Sequence, residues 1–151
     1  YLRAAQRIAR REYRAAAAIL EQEDRLAAKE PVYWSLLARC YDELDEFPKA
    51  IEAYTAGIAL QPHQTNWFYR GRGGVYHRLK DYPNAVKDFD AAVRLRPDEP
   101  LLYRDRALAH LALGNTSAAL ADLDRAESLD PGHTRVYFVR AQAYARAGKA
   151  A

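Results

Sequence analysis

A small residue recurs on a fixed beat along this chain, at Ala4, Ala38, Gly73, Ala107 and Ala141, in steps of 34, 35, 34 and 34 residues. A second beat of the same period runs through Ala16, Ala50, Ala85 and Ala119. Self-similarity in this range marks an architecture of stacked supersecondary units. Each unit buries its apolar face on the next, so the chain grows by repetition and not around one globular core. In the central units the two beats stay 12 residues apart, pairing Ala38 with Ala50, Gly73 with Ala85 and Ala107 with Ala119. The distance between two packed helices depends on the side chains at their contact. Small residues at a constant separation therefore read as repeated helix crossings.

The spacing between the beats is helical. Ile51, Tyr54 and Ile58, or Val86, Phe89 and Val93, fall on one face of a helix. All seven prolines lie at predicted junctions. Pro31 and Pro100 open first helices of hairpins, and Pro48 and Pro83 open second helices, where a missing N–H costs nothing. Pro62, Pro97 and Pro131 follow the leucines Leu60, Leu95 and Leu129 that end second helices. Gly114 and Gly148 sit where first helices should stop in a left-handed cap. The pattern predicts helices over 2–10, 14–27, 32–44, 48–60, 66–79, 83–95, 100–113, 117–129 and 134–147, and no strand.

The clearest unit, residues 31–64, carries Trp34-x2-Leu37-Ala38-x2-Tyr41, then Ala50-x3-Tyr54 and Pro62. Residues 66–99 carry Tyr69, Gly73, Tyr76, Ala85, Phe89 and Pro97; residues 100–133 carry Tyr103, Ala107, His110, Ala119, Leu123 and Pro131. Residues 1–30 and 134–151 are partial units, and only Thr65 falls outside the register. This resembles the tetratricopeptide repeat, whose signature is Trp-x2-Leu-Gly-x2-Tyr, Ala-x3-Phe, Pro over about 34 residues. The resemblance implies an all-α fold, a right-handed solenoid of antiparallel helix hairpins with about four repeats and a partial one, forming a single domain over 1–151.

Composition narrows the function classes. No apolar run reaches the roughly 18 residues of a membrane span, and no signal-peptide pattern opens the chain. The chain has no Met, starts inside one unit and ends inside another, as expected of a segment of a longer protein. The cytoplasm is the expected compartment. Cys40 is the only cysteine, so no intrachain disulfide forms, and its place beside Ala38 reads as a buried, inert thiol. Net charge is +3, carried by 18 Arg and 5 Lys against 20 acids, too small a surplus to point to nucleic acid.

Arginine recurs at Arg72, Arg106 and Arg140, and aspartate at Asp88 and Asp122. Where arginine is absent, at Leu37, the matching second-helix position is apolar Ala53. This covariation predicts Arg72–Asp88 and Arg106–Asp122 bridges within hairpins; the next-repeat register, Arg106–Asp88 and Arg140–Asp122, is the alternative. The carboxylate pairs Asp88/Asp90 and Asp122/Asp124 follow the period and so belong to the scaffold, whereas a catalytic pair is expected once, in a cleft. His63, His77, His110 and His133 lack metal-type spacing. Arg70-Gly71-Arg72-Gly73-Gly74 lacks the spacing and the Lys-Ser/Thr of a phosphate loop. Gly71 and Gly74 either let a ligand backbone come close or have no function. No catalytic residue, metal, cofactor or small-molecule substrate is expected.

What the resemblance implies for function is a peptide-binding groove lined by first helices. Its positions fall here on Arg39; on Trp67, Arg70, Gly71, Gly74, His77 and Arg78; on Arg104, Leu108 and Leu111; and on Arg135, Phe138 and Val139. Arginines beside an aromatic suit an acidic peptide or its C-terminal carboxylate; alternatively they form a solvated face, and Trp67 packs beneath Thr65. The family's carboxylate clamp for chaperone tails needs Lys, Asn, Asn, Lys and Arg. The chain offers Ser35, Arg39, Gly71, Leu101 and Asp105, or one unit later Arg70, Gly74, Asp105, Arg135 and Val139, so those tails are not expected ligands. The expected function is a non-enzymatic protein-interaction scaffold; the alternatives are a regulatory or targeting module of a larger enzyme-containing protein and, disfavoured, nucleic-acid binding. An open last hairpin is also expected to expose Val136, Val139 and Tyr144 and to support end-to-end self-association.

Overall fold

The structure, a computed structural model, describes residues 1–22, 27–60, 65–132 and 134–149. Among them are helices α1 (Leu2–Ala9), α2 (Tyr13–Glu21), α3 (Pro31–Glu43), α4 (Phe47–Leu60), α5 (Asn66–Arg78), α6 (Tyr82–Leu95), α7 (Pro100–Ala112), α8 (Thr116–Leu129) and α9 (Thr134–Lys149), and no strand. The fold is all-α, as the spacing predicts. α2 is shorter than expected: it ends at Glu21, and Ala27–Lys29 forms a 3-10 turn instead. Pro62, His63 and His133 lie outside the described residues. No helix is long and apolar enough among the described residues to cross a membrane.

The helices group into two compact units, Tyr1–Val75 and Tyr76–Ala151. In the first, the small-residue beat forms the hairpin crossings: Ala4, Ala16, Ala38 and Ala50 are all 0% exposed. Leu20, Leu37, Cys40, Tyr41, Tyr54 and Phe68 surround them in one core. In the second unit Ala107 and Ala119 take the same role, with Tyr103, Leu111, Leu123 and Ala126. Ala85, Phe89 and Ala109 form a smaller cluster beside them.

The turn inside each hairpin repeats as faithfully as the helices. Arg11, Asp45, Lys80 and Gly114 all have positive φ, between 58° and 80°. The next residue's N–H closes back on the last helical turn, Glu12 to Arg7 O, Glu46 to Tyr41 O, Asp81 to Tyr76 O and Asn115 to His110 O, each at 2.9 Å. The left-handed residue donates to the carbonyl three before it, as Asp45 does to Asp42 and Lys80 to His77. This double closure is a Schellman cap. Only Gly114 meets it without a Cβ penalty. Gly148, expected in the same role, lies inside α9.

Junctions between repeats are closed by a side chain. Trp34 Nε1–H donates to Ala28 O at 2.8 Å, Tyr103 O–H to Pro97 O at 3.0 Å and Tyr137 O–H to Pro131 O at 2.8 Å, each reaching six residues back. The aromatic of the repeat signature thus ties a first helix to the chain that enters it. Thr65, the residue outside the register, is 2% exposed. Its carbonyl accepts from Phe68 N–H at 3.0 Å and opens α5.

α9 departs from expectation on one point. Val136 and Val139 are buried, at 1% and 4% exposure, because they form the face that packs in the second-unit core. The exposed apolar residues are Tyr137, Phe138 and Tyr144.

Candidate functional site

In the first unit the candidate residues sit on α3 and α5. Arg39 is exposed on α3. Trp67, Arg70 and Gly74 follow at i, i+3 and i+7 along α5, which puts them on one face. Trp67 is 40% exposed and stacks on Phe68, with ring centroids 3.6 Å apart. Phe68 is fully buried, so the outer ring has a rigid backing. A Cβ built at Gly74 would meet nothing within 4 Å, so the helix backbone is bare there.

Gly71 is different. A Cβ on it would lie 2.4 Å from Tyr54 Cε1, so this glycine makes room for a buried ring and not for a ligand. Gly57 on α4 reciprocates: its Cβ would lie 2.1 Å from Phe68 Cζ. The two helices exchange rings over bare backbone, and the rings meet edge-to-face at 6.3 Å. Gly57 escaped the sequence reading, although a third beat, Gly57, Ala92 and Ala126, was there to find. In the matching first-helix positions stand Phe68, Leu102 and Val136, so the largest apolar residue accompanies the smallest partner.

In the second unit the groove residues separate. His77 lies edge-on to Tyr82, with ring centroids 5.3 Å apart, and Arg78 is exposed. Arg104 is held by its neighbour: Nε donates to Asp105 Oδ1 at 3.0 Å, and both side chains are largely covered. Arg135 and Phe138 are exposed on α9, Phe138 at 67%. Leu111 and Val139 are corrections, since both are buried in the core and unavailable to a ligand. Arg146 donates from Nη1 to Leu111 O at 2.6 Å and so satisfies a carbonyl at the end of α7.

Arg106 grips carboxylates on both sides. Its Nε and Nη2 donate to the two Asp122 oxygens at 2.9 and 2.6 Å, and Nη1 to Asp90 Oδ1 at 2.7 Å. The Asp122 hydrogen bonds hold the guanidinium even more firmly in its charged form. Arg140 contacts Asp124 at 2.8 Å and Glu127 at 2.7 Å. Each arginine thus reaches back to the residue 16 positions earlier, Asp90 or Asp124, and Arg140 to Glu127 as well, where the alternative register had Asp88 and Asp122. Arg72 donates to the Thr55 hydroxyl at 2.8 Å, and Asp88 is buried. Burial pushes the Cys40 thiol up to about 11, which keeps it protonated and unreactive.

One basic depression was not anticipated. A cavity of about 860 Å³ opens beside α1 and α2, lined by Arg3, Arg7 and Arg10 with Gln6, Ile19 and Gln22. The three arginines are spaced i, i+4 and i+7, a stripe on one helix face. Among the described residues no group of His, Cys, Asp and Glu is placed to hold a metal ion.

Comparison with known proteins fits this geometry. No curated protein matches the sequence significantly. Among solved structures, the crystal structure of MamA superposes with a TM-score of 0.87 at 16% identity, covering 96% of this chain and 84% of that one. The first TPR of Spaghetti (RPAP3), bound to the HSP90 peptide SRMEEVD, gives 0.75 at 22% identity, over 80% of this chain and 95% of that one. The TPR2B domain of yeast Sti1, in a complex with pHsp70, gives 0.69 at 25% identity over 83% and 99%. Models of the tetratricopeptide repeat match residues 32–64 and 73–144. With the beat, the signature residues and the hairpins all in the same register, the chain belongs to the tetratricopeptide repeat family.

Proposed function

We propose that the chain is a non-enzymatic scaffold that binds an acidic peptide segment, with the Trp67, Arg70 and Gly74 face of α5 as its anchor. The observation that carries this is the large aromatic ring of Trp67, 40% exposed and stacked on a buried Phe68. A rigid aromatic next to arginine is a common make-up of binding hot spots. The bare backbone at Gly74 leaves room for a ligand main chain. The first TPR of Spaghetti (RPAP3) and the second TPR domain of human RPAP3 carry HSP90 and HSP70 peptides that both end in Glu-Glu-Val-Asp, which supports an acidic peptide as the ligand class. The clamp residues for such a tail are absent here, so recognition rests on Trp67 and the arginines Arg39 and Arg70.

The test is selection from a library of random 12-residue peptides displayed on phage, run in parallel on the chain and on a Trp67→Ala/Arg70→Ala variant. Selected sequences should be rich in Asp and Glu and should lose the variant, whose helical content is checked by circular dichroism. Peptides that bind the folded variant equally well, or that show no acidic bias, would overturn the assignment.

A further inference from the structure

Val32 and Trp67 hold the same place in consecutive repeats, second in 31–64 and second in 66–99. Both are left in water, Val32 at 45% exposure and Trp67 at 40%. Neither is drawn into the core; the next residue on each helix is, Tyr33 in part and Phe68 wholly. Apolar side chains scattered singly over a surface are ordinary. These two are not scattered. First helices of successive hairpins approach each other within each unit, α1 beside α3 and α7 beside α9. Val32 on α3 and Trp67 on α5, both in the first unit, stand in that relation by register and form one apolar row.

A basic side chain follows each apolar one along the same helix face. On α3, Leu36 and Arg39 come at i+4 and i+7 from Val32; on α5, Arg70 comes at i+3 from Trp67. Leu36 is half-buried against the first-unit core, so the row has firm backing on α3 as Phe68 gives it on α5. Arg39 is exposed and makes no hydrogen bond or ion pair to another described residue. Both helices thus run from an apolar start to a basic middle. At about 1.5 Å of rise per residue, the two zones lie roughly 5 Å apart on α5 and roughly 10 Å apart on α3. An extended chain advances about 3.3 Å per residue, so it spans this separation in about one to three residues.

Taking α5 as the peptide-binding face proposed above, we infer that Val32 and Trp67 form an apolar subsite beside it. The ligand this subsite selects is an extended acidic segment with a bulky apolar residue about one to three positions from a carboxylate. The apolar side chain lies across Val32 and Trp67, and the carboxylate accepts from Arg39 or Arg70. An acidic segment without the apolar residue keeps the ion pairs alone, and exposed ion pairs contribute little in water. Covering an apolar side chain contributes in proportion to the area removed from water. The arginines therefore set the charge of the ligand, and the apolar row decides which acidic segments stay bound.

The probe is a library of random peptides displayed on phage, selected in parallel on the chain and on a Val32→Ser variant whose helical content is checked by circular dichroism. Sequences selected on the chain should carry a large aliphatic or aromatic residue within about three positions of Asp or Glu. One such peptide is then made with capped ends and a fluorophore and titrated by anisotropy. Replacing its apolar residue by Ala should weaken binding to the chain by about tenfold or more. The same replacement should cost less on the Val32→Ser chain, by about threefold, because part of the subsite is already gone. Equal losses on the two chains, or acidic sequences with no apolar residue at that spacing, would overturn the subsite and leave the acidic-peptide reading of α5 standing. Selected sequences with no acidic bias would remove that reading and the subsite with it.

Discussion

Three glycines within one hairpin-to-hairpin contact should respond to the same substitution with different signs. In a helix interior, glycine to alanine stabilises by about 1 kcal/mol when there is room for the methyl group. Gly74 has that room, with nothing within 4 Å of a new Cβ, so Gly74→Ala should stabilise by ~0.5–1 kcal/mol. At Gly57 the new methyl would lie 2.1 Å from Phe68 Cζ, far inside the contact distance of two carbons. Phe68 is 0% exposed and has nowhere to go, so α4 and α5 must part. Overpacking of this kind costs about 1–3 kcal/mol, which outweighs the propensity gain. Gly57→Ala should therefore destabilise by ~1–2 kcal/mol net. Gly71→Ala meets the outer end of the Tyr54 ring, which is 7% exposed and has slightly more freedom, so its net cost should be smaller, ~0–1 kcal/mol. Urea unfolding followed by circular dichroism at 222 nm ranks the three. In a Phe68→Leu background the cost of Gly57→Ala should shrink, because the obstructing ring is gone. If Gly57→Ala and Gly74→Ala move the midpoint in the same direction, the ring-over-glycine explanation is wrong.

The left-handed caps make a second prediction: Gly114→Ala should cost ~1 kcal/mol, since it adds a Cβ at φ 80°, and an unchanged melting curve would refute it. Tyr103→Phe removes the hydrogen bond to Pro97 O and should destabilise by ~1 kcal/mol in thermal unfolding, with helical content preserved. Cys40 gives a pH test. Burial raises its folded pKa to about 11 from 9.0, so in the window between these values the unfolded thiol has lost its proton while the native one keeps it. The stability contributed is present below the lower value and is lost as pH rises through the window. The chain should lose more stability over this window than Cys40→Ala does, and parallel losses would contradict the assignment.

Much of this architecture could be read from the letters alone because the repeat imposes its own alignment. Ala38, Ala50, Ala107 and Ala119 are conspicuous once the 34-residue beat is seen, and their burial follows from the crossing they permit. Helix ends were legible where proline or a leucine-proline step marks them. The Schellman caps at Arg11 and Lys80 were not, since Arg and Lys carry no left-handed preference of their own and the hairpin imposes the conformation; at Asp45 the mild left-handed tendency of an aspartate is too weak a signal to mark a cap. Gly71 misled for a similar reason: what fills the space over it is Tyr54, on a different helix. The arginine ladder was half legible. Arg106 and Asp122 covary along the chain, but the reach back to Asp90 depends on how one hairpin sits on the preceding one. Val136 and Val139 show the limit of helical periodicity, which locates an apolar stripe without saying which of two available neighbours it will face.

The double grip of Arg106 bears on how this part of the chain comes apart. Repeat arrays unfold approximately as a sum of unit stabilities and nearest-neighbour couplings. One guanidinium that holds Asp90 of α6 and Asp122 of α8 at once belongs to the coupling and to the unit together. Opening the α7–α8 hairpin therefore also strips a carboxylate of α6 of its counterion. Amide exchange in α6 should consequently track that in α8, whereas α9, fastened along one face, should exchange ahead of both.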